Sequence, residues 1–287
     1  MDSKQVIMLT LQVSILATVF GFGLKARRGD LLYLWRQPRL LFRSLLAMYL
    51  AMPLVALTFV SIFDLPMNVR IVLVALSIAP LPPLLPKRDI EAGGHEAYAI
   101  ALMSTLALLS IVITPLAVAV LGTYFNQHFV MSPASVAKTI LVAVVLPLAA
   151  GLAMRALLAD GAERIADVVM RVGQVLLICA ALALVGVNLP ALWAQVGGGV
   201  VLALAGFVVA GMLIGHFLGG PSADDRVVLA LSTANRHPVI ALSIATANFP
   251  EERVGATIML YLLVGIAAGL PYTFLQRRKA ARLASAR

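Results

Sequence analysis

Leu231-Ser232-Thr233-Ala234-Asn235-Arg236-His237-Pro238 interrupts an otherwise apolar segment, residues 226–249. About 20 apolar residues cross a bilayer, so this octet puts an amide, a guanidinium, an imidazole and a proline well inside a span. An earlier stretch resembles it. Leu76-Ser77-Ile78-Ala79-Pro80-Leu81-Pro82-Pro83 lies in the segment 67–90, which also holds Pro86. Upstream, Arg70-Ile71-Val72-Leu73 matches Arg226-Val227-Val228-Leu229 after one gap. The offset is about 155 residues, close to half of the 287-residue chain. Each interrupted segment is followed by a further apolar one that ends near a proline, Pro115 and Pro271.

Composition identifies the solvent around these segments. Hydrophobic residues make up 61% of the chain and charged residues 12%, against about half and about a quarter in soluble domains. A water-soluble fold does not cover that much apolar surface, so the partner of this surface is the lipid bilayer. Spans are predicted near 5–24, 40–63, 67–90, 97–122, 136–157, 168–188, 197–218, 226–249 and 254–275. The expected fold is therefore an all-α polytopic membrane protein with nine transmembrane helices, one domain over 1–287. The lone cysteine, Cys179, precludes a disulfide framework and reads as a packing residue. No cleavable signal peptide is expected, because the first apolar segment is long enough to span.

The net charge of +9 does not argue for nucleic acid, because the basic residues flank apolar segments, where topology signals lie. One side collects Lys25, Arg27, Arg28, Arg36, Arg39, Arg43, Lys87, Arg88, Arg155, Arg164, Arg171 and Arg226. Arg277, Arg278, Lys279, Arg282 and Arg287 of the tail join them. The other side receives Lys4, Arg70, Lys138 and Arg253. Lys and Arg accumulate on the cytoplasmic side. The expectation is an N-terminus outside, a short basic tail over 276–287 in the cytoplasm, and residence in the plasma (inner) membrane.

With that topology the first repeat, about 5–122, and the second, about 136–275, run in opposite directions. Inverted repeats with discontinuous helices meeting at the midplane are the layout of many secondary transporters. Proline removes a rung of the helical hydrogen-bond ladder. Freed backbone groups persist in a membrane only where protein or a watery cavity satisfies them. Helix N-termini exposed at a break suit an anion. The plainer reading is two proline-kinked structural helices; matching breaks in matching positions favour the functional one.

The residues also resemble a family. Gly21-Phe22-Gly23-Leu24, the basic loop with Arg36-Gln37-Pro38-Arg39, Ala51-Met52-Pro53-Leu54, and the spacing from Pro80 to Thr114-Pro115 are similar to the bile acid:sodium symporter family, bacterial members included. The resemblance covers nearly the whole chain and matches the nine-helix form. It implies a panel domain and a core domain, with 67–90 and 226–249 as the discontinuous crossing helices of the core. The departures fall on the sodium sites. Where the family carries Cys-Pro-Gly-Gly followed by Ser-Asn, this chain has Ala79-Pro80-Leu81-Pro82 and then Leu85-Pro86. Ala99 and Met103 stand where sodium-binding members use hydroxyls. Ser232 replaces a glutamate, and Arg236 and His237 replace a glutamine and an asparagine. Sodium needs several oxygen ligands, and these positions offer methyl groups, a thioether, prolines, one serine and a cation, so sodium coupling is not carried over.

An arginine near the bilayer centre costs roughly 2.5–3.5 kcal/mol on insertion scales. Two readings account for Arg236: a fixed charge that holds an anionic substrate in place of sodium, or an ion pair with Asp89 or Glu91. Its planar fork suits a carboxylate or phosphate. His237 resembles the family's substrate-facing asparagine and is either a hydrogen-bond donor to substrate, a proton carrier, or a satisfied polar residue. Ser77, Ser232, Thr233 and Asn235 either orient substrate or cap freed backbone. Lys87 reads as interfacial, while Arg88 and Asp89 are candidates for an inner vestibule. Asp224 and Asp225 read as N-terminal helix caps. His95, His128 and His216 form no metal cluster, and no catalytic motif is present. The expected function is a secondary transporter of a small anionic solute, with no cofactor and no metal, working as uniporter, exchanger or proton symporter. The alternatives are a non-transporting sensor on the same scaffold and a sodium symporter with a non-standard site.

Overall fold

The computed structural model describes residues 3–26, 29–124, 129–158 and 161–285. Arg27, Arg28, His128 and Arg287 lie outside them. Every regular element among the described residues is helical, with no strand among them. In chain order the helices are α1 (Ser3–Lys25), α2 (Pro38–Leu45), α3 (Met52–Ile62), α4 (Met67–Ile78), α5 (Leu85–Glu91), α6 (Glu96–Tyr124), α7 (Pro133–Ile140) and α8 (Leu146–Leu158). Then come α9 (Ala162–Trp193), α10 (Val200–Leu218), α11 (Ala223–Ala234), α12 (Pro238–Asn248) and α13 (Val254–Ser285). Two π-helical turns, Leu46–Ala51 and Leu141–Val145, join α2 to α3 and α7 to α8.

Among the described residues, eight helical stretches are long and apolar enough to cross a membrane, three of them joining two of these helices (α2 with α3, α7 with α8, α11 with α12), and α4 is a shorter apolar helix beside them. Large apolar side chains such as Phe42, Val112, Leu182 and Phe217 lie on the outside, as a lipid solvent requires. The protein is a multi-pass membrane protein. Cys179 is exposed on α9 rather than packed inside. The basic tail continues α13 as helix to Ser285; its Ala, Arg and Lys residues are strong helix formers, and Arg278 stacks over Phe274 at 4.1 Å.

Two groups of helices are distinguishable. α1 packs chiefly on α8 and α9. Gly23 and Gly151 let α1 and α8 meet backbone to backbone; a Cβ on either would overlap the other helix. The second group surrounds the two broken pairs, α4/α5 and α11/α12, with α10 laid along α11. Gly211, Gly215 and Gly219 form one stripe of α10. A side chain on any of them would strike the backbone of Ala234, Leu229–Ala230 or Arg226. This small-residue spacing allows close helix approach in membranes.

The π-helical turn before α3 has a cause in sequence. Within it the Met52 N–H donates to Ala47 O, five residues back. In the same register the Met48 carbonyl would receive the N–H of residue 53, but residue 53 is proline and has none. Pro53 therefore leaves the Met48 carbonyl without a helical donor, inside the protein.

Candidate functional site

The two breaks touch. After Ile78 the chain turns extended at Ala79, and after Ala234 it turns extended at Asn235. The backbone N–H of His237 donates to the Pro80 carbonyl at 2.8 Å. The carbonyl ends of α4 and α11 are satisfied by side chains. Thr114 Oγ1 donates to Ile78 O at 3.2 Å, and Tyr261 Oη donates to Ala234 O at 2.9 Å while accepting the Arg236 N–H at 3.0 Å.

Arg236 is fully buried at this contact. Its Nη1 donates to Ala79 O at 3.3 Å and its Nη2 to Met48 O at 2.9 Å. The guanidinium thus bridges the first break and the carbonyl freed by Pro53. A cation belongs at such carbonyl ends, where the helix dipole is negative. Its Nε is buried and has no partner. No ion pair joins it to Asp89 or Glu91; Glu91 pairs with Arg277 at 3.1 Å instead. Helix N-termini exposed at a break suit an anion, but the groups that the guanidinium itself meets are carbonyls.

The other candidates divide. His237 is buried, with neither ring nitrogen partnered. Asp89 is buried; its Oδ2 accepts from Ser232 Oγ at 3.2 Å, and its Oδ1 has no partner. A carboxyl from the first broken pair thereby reaches position 232 of the second. Arg88 Nη1 lies 3.5 Å from Asn235 Oδ1, and Gly269 of α13 leaves the space the Arg88 side chain fills. Ser77 and Thr233 turn back on their own helices, onto Val74 O and Leu229 O at 2.7 Å each. Asn235 Nδ2 does the same with Leu231 O at 2.7 Å. These three hydroxyl and amide donors serve the backbone. Lys87 Nζ donates to Gln174 Oε1 of α9 in an exposed hydrogen bond. Asp225 is more than a helix cap: it is buried and meets His95 Nδ1 at 3.2 Å, with Tyr33 edge-on to that imidazole. His216 Nδ1 pairs with Tyr272 Oη at 2.9 Å. Among the described residues no cluster of His, Cys, Asp or Glu is arranged to hold a metal.

Sequence reasoning missed Met48, Tyr261 and Thr114, whose roles arise only from contact with the breaks. It also missed the chemistry around Arg70, where a cavity of about 420 Å³ opens between α4 and α12. Pro53 was the one advance signal, since a proline within an apolar span implies a freed carbonyl nearby.

Comparison with known proteins agrees with this architecture. A transporter of Bacillus subtilis (strain 168), described as the uncharacterized sodium-dependent transporter YocS, is 28% identical over 137 residues. That alignment covers 48% of this chain and 42% of the relative, so less than half of the relative's length is matched. The model of the Sodium Bile acid symporter family matches residues 12–195, which include the first broken pair and stop before α11 and α12. With well over half of its length matched, the chain belongs to the sodium bile acid symporter family of membrane transporters.

Proposed function

We propose that this protein is a secondary transporter of a small organic anion that works without sodium, by alternating access. In this reading α4 and α5 together form a ninth crossing. The two broken pairs are the crossing helices of an inverted repeat, and α1, α8 and α9 form the panel against which the core moves. The N-terminus is outside and the C-terminus is cytoplasmic.

The observation that carries the reading is the buried Arg236 guanidinium at the contact of the two breaks, with no carboxylate paired to it. Carbonyl oxygens at such breaks are the ligands that replace an alkali cation's hydration shell. Here two of them accept hydrogen bonds from a fixed cation. A sodium ion about 4–6 Å away would meet roughly 3–4 kcal/mol of repulsion at an effective dielectric near 20. The charge left on Arg236, with its free Nε and the adjacent His237, favours an anion. YocS is described as sodium-dependent, but the family match ends before the segment that carries Arg236.

Among the sodium-free modes, the geometry favours proton coupling through Asp89. It is a buried carboxyl with one hydrogen bond and no ion pair. It is hydrogen-bonded by Ser232 of α11 and follows Arg88 in the chain. Ionisable residues in this setting are typical of proton relays in transporters.

The test is uptake by proteoliposomes of a panel of small carboxylates, in sodium chloride and in choline chloride. The expected result is equal rates in the two salts and at least a tenfold loss in Arg236→Gln. Uptake that requires sodium, or full flux in Arg236→Gln, contradicts the reading. Binding without flux identifies a sensor instead.

A further inference from the structure

Arg70 and Arg226 hold equivalent places near the starts of the two broken pairs, yet their guanidinium groups are treated differently. Arg226 donates its Nε to Gly220 O at 2.7 Å. The Nε of Arg70 is buried and has no partner, although the side chain as a whole is 41% exposed. Its ion-pair partner, Asp64, is 3.8 Å from Nη2 and fully exposed, so water screens that pair. Leaving a buried donor of a charged group unpaired is costly, and such groups are uncommon enough to need an explanation.

A cavity of about 420 Å³ lies against Arg70, walled by Ile71, Val74, Ile78, Val118, Leu121 and Phe249. Its other polar wall groups are Ser61 and Asn248. Asn248 is already engaged, donating to Val130 O and Ile244 O and accepting the Val130 N–H. Arg70 is therefore the charged wall of a mostly apolar cavity that extends to Ile78, the last residue of α4 before the break. Small-molecule sites have this build: a few hundred Å³, mostly apolar walls and a few oriented polar groups.

We propose that this cavity is a second ligand site, distinct from Arg236, which binds a small amphipathic monocarboxylate. Its carboxylate engages the Arg70 guanidinium, and its short apolar tail lies between α4 and α12. The planar fork supplies two parallel N–H donors to such a group, and the chamber removes the tail from water. Occupancy of the site is independent of whether the bound anion is the transported one.

Isothermal titration of the full chain in phosphatidylcholine nanodiscs tests this. Propanoate, butanoate, pentanoate and hexanoate probe a solute arriving from water; oleate probes a bilayer fatty acid. Affinity is expected to rise about fourfold per added methylene, the equivalent of about 0.8 kcal/mol. Hexanamide is expected to bind at least tenfold more weakly than hexanoate. Arg70→Gln is expected to lose at least tenfold, Arg70→Lys less, and Ala75→Phe, which fills the chamber, to abolish binding. Arg253→Gln, an exposed residue that does not line the cavity, is expected to leave binding unchanged. Where Arg70→Gln fails to fold, as read by gel filtration, Ala75→Phe and the hexanamide comparison decide. Equal binding of hexanoate and hexanamide, unchanged affinity in a folded Arg70→Gln or Ala75→Phe variant, or binding of oleate alone would overturn the proposal.

Discussion

Arg236 does two jobs that separate by substitution. It supplies hydrogen bonds to Ala79 O and Met48 O, and it supplies charge where the breaks meet. Arg236→Ala leaves two buried carbonyls unpaired. At about 1–3 kcal/mol each, destabilisation of roughly 2–6 kcal/mol is expected, read as a fall in the melting temperature of the purified protein. Arg236→Lys keeps the charge but loses the fork. It is expected to melt closer to the native protein than Arg236→Ala and to transport at least tenfold more slowly than the native protein. Asp89 carries a separate expectation. Asp89→Asn keeps an oxygen to accept from Ser232 but no longer takes up and releases a proton. Acceleration of uptake by an inward proton gradient should vanish while solute exchange at equal pH persists; gradient-driven uptake at the native rate would remove Asp89 from the coupling.

Helices set the terms for those residues. Pro53 makes the π-helical turn Leu46–Ala51 useful, because it withholds the N–H that would otherwise occupy Met48 O. Pro53→Ala restores that N–H as a competitor for the carbonyl. Uptake is expected to fall several-fold with little change in folded yield, and unchanged uptake would mean that the Met48 bond is dispensable. The glycine stripe of α10 positions α11 in a different way, by absence of side chains. Gly215→Leu drives an isobutyl group into the backbone at Leu229–Ala230. Overpacking of this kind costs about 1–3 kcal/mol or more, so reduced yield and a lower melting temperature are expected. Gly186→Leu on α9, where open space surrounds the glycine, is the matched control and should be neutral.

Much of the architecture was readable because lipid imposes it. Apolar segments of spanning length lie close to the observed helices, and Pro80, Pro82 and Asn235–Pro238 mark the two breaks. The start of α9 and the end of α13 run past the predicted spans, since polar residues with high helix propensity continue a helix beyond the hydrocarbon. The site was legible as a set of residue types but not as a set of contacts. Arg236 finds its acceptors 157 and 188 residues away in the chain, and both are backbone oxygens, which every residue possesses and no composition reveals. The partners of Asp225 and Asp89 were hidden for a related reason: each is a single side chain on the other half of the repeat, His95 and Ser232. Sodium binding by the purified native protein decides between an arginine that has taken over a cation's place and one that merely stands near it. Measured as melting temperature over a sodium chloride titration, with choline chloride holding ionic strength constant, the account predicts no saturable, sodium-specific rise. A saturable rise in the millimolar range, absent with choline, would contradict it.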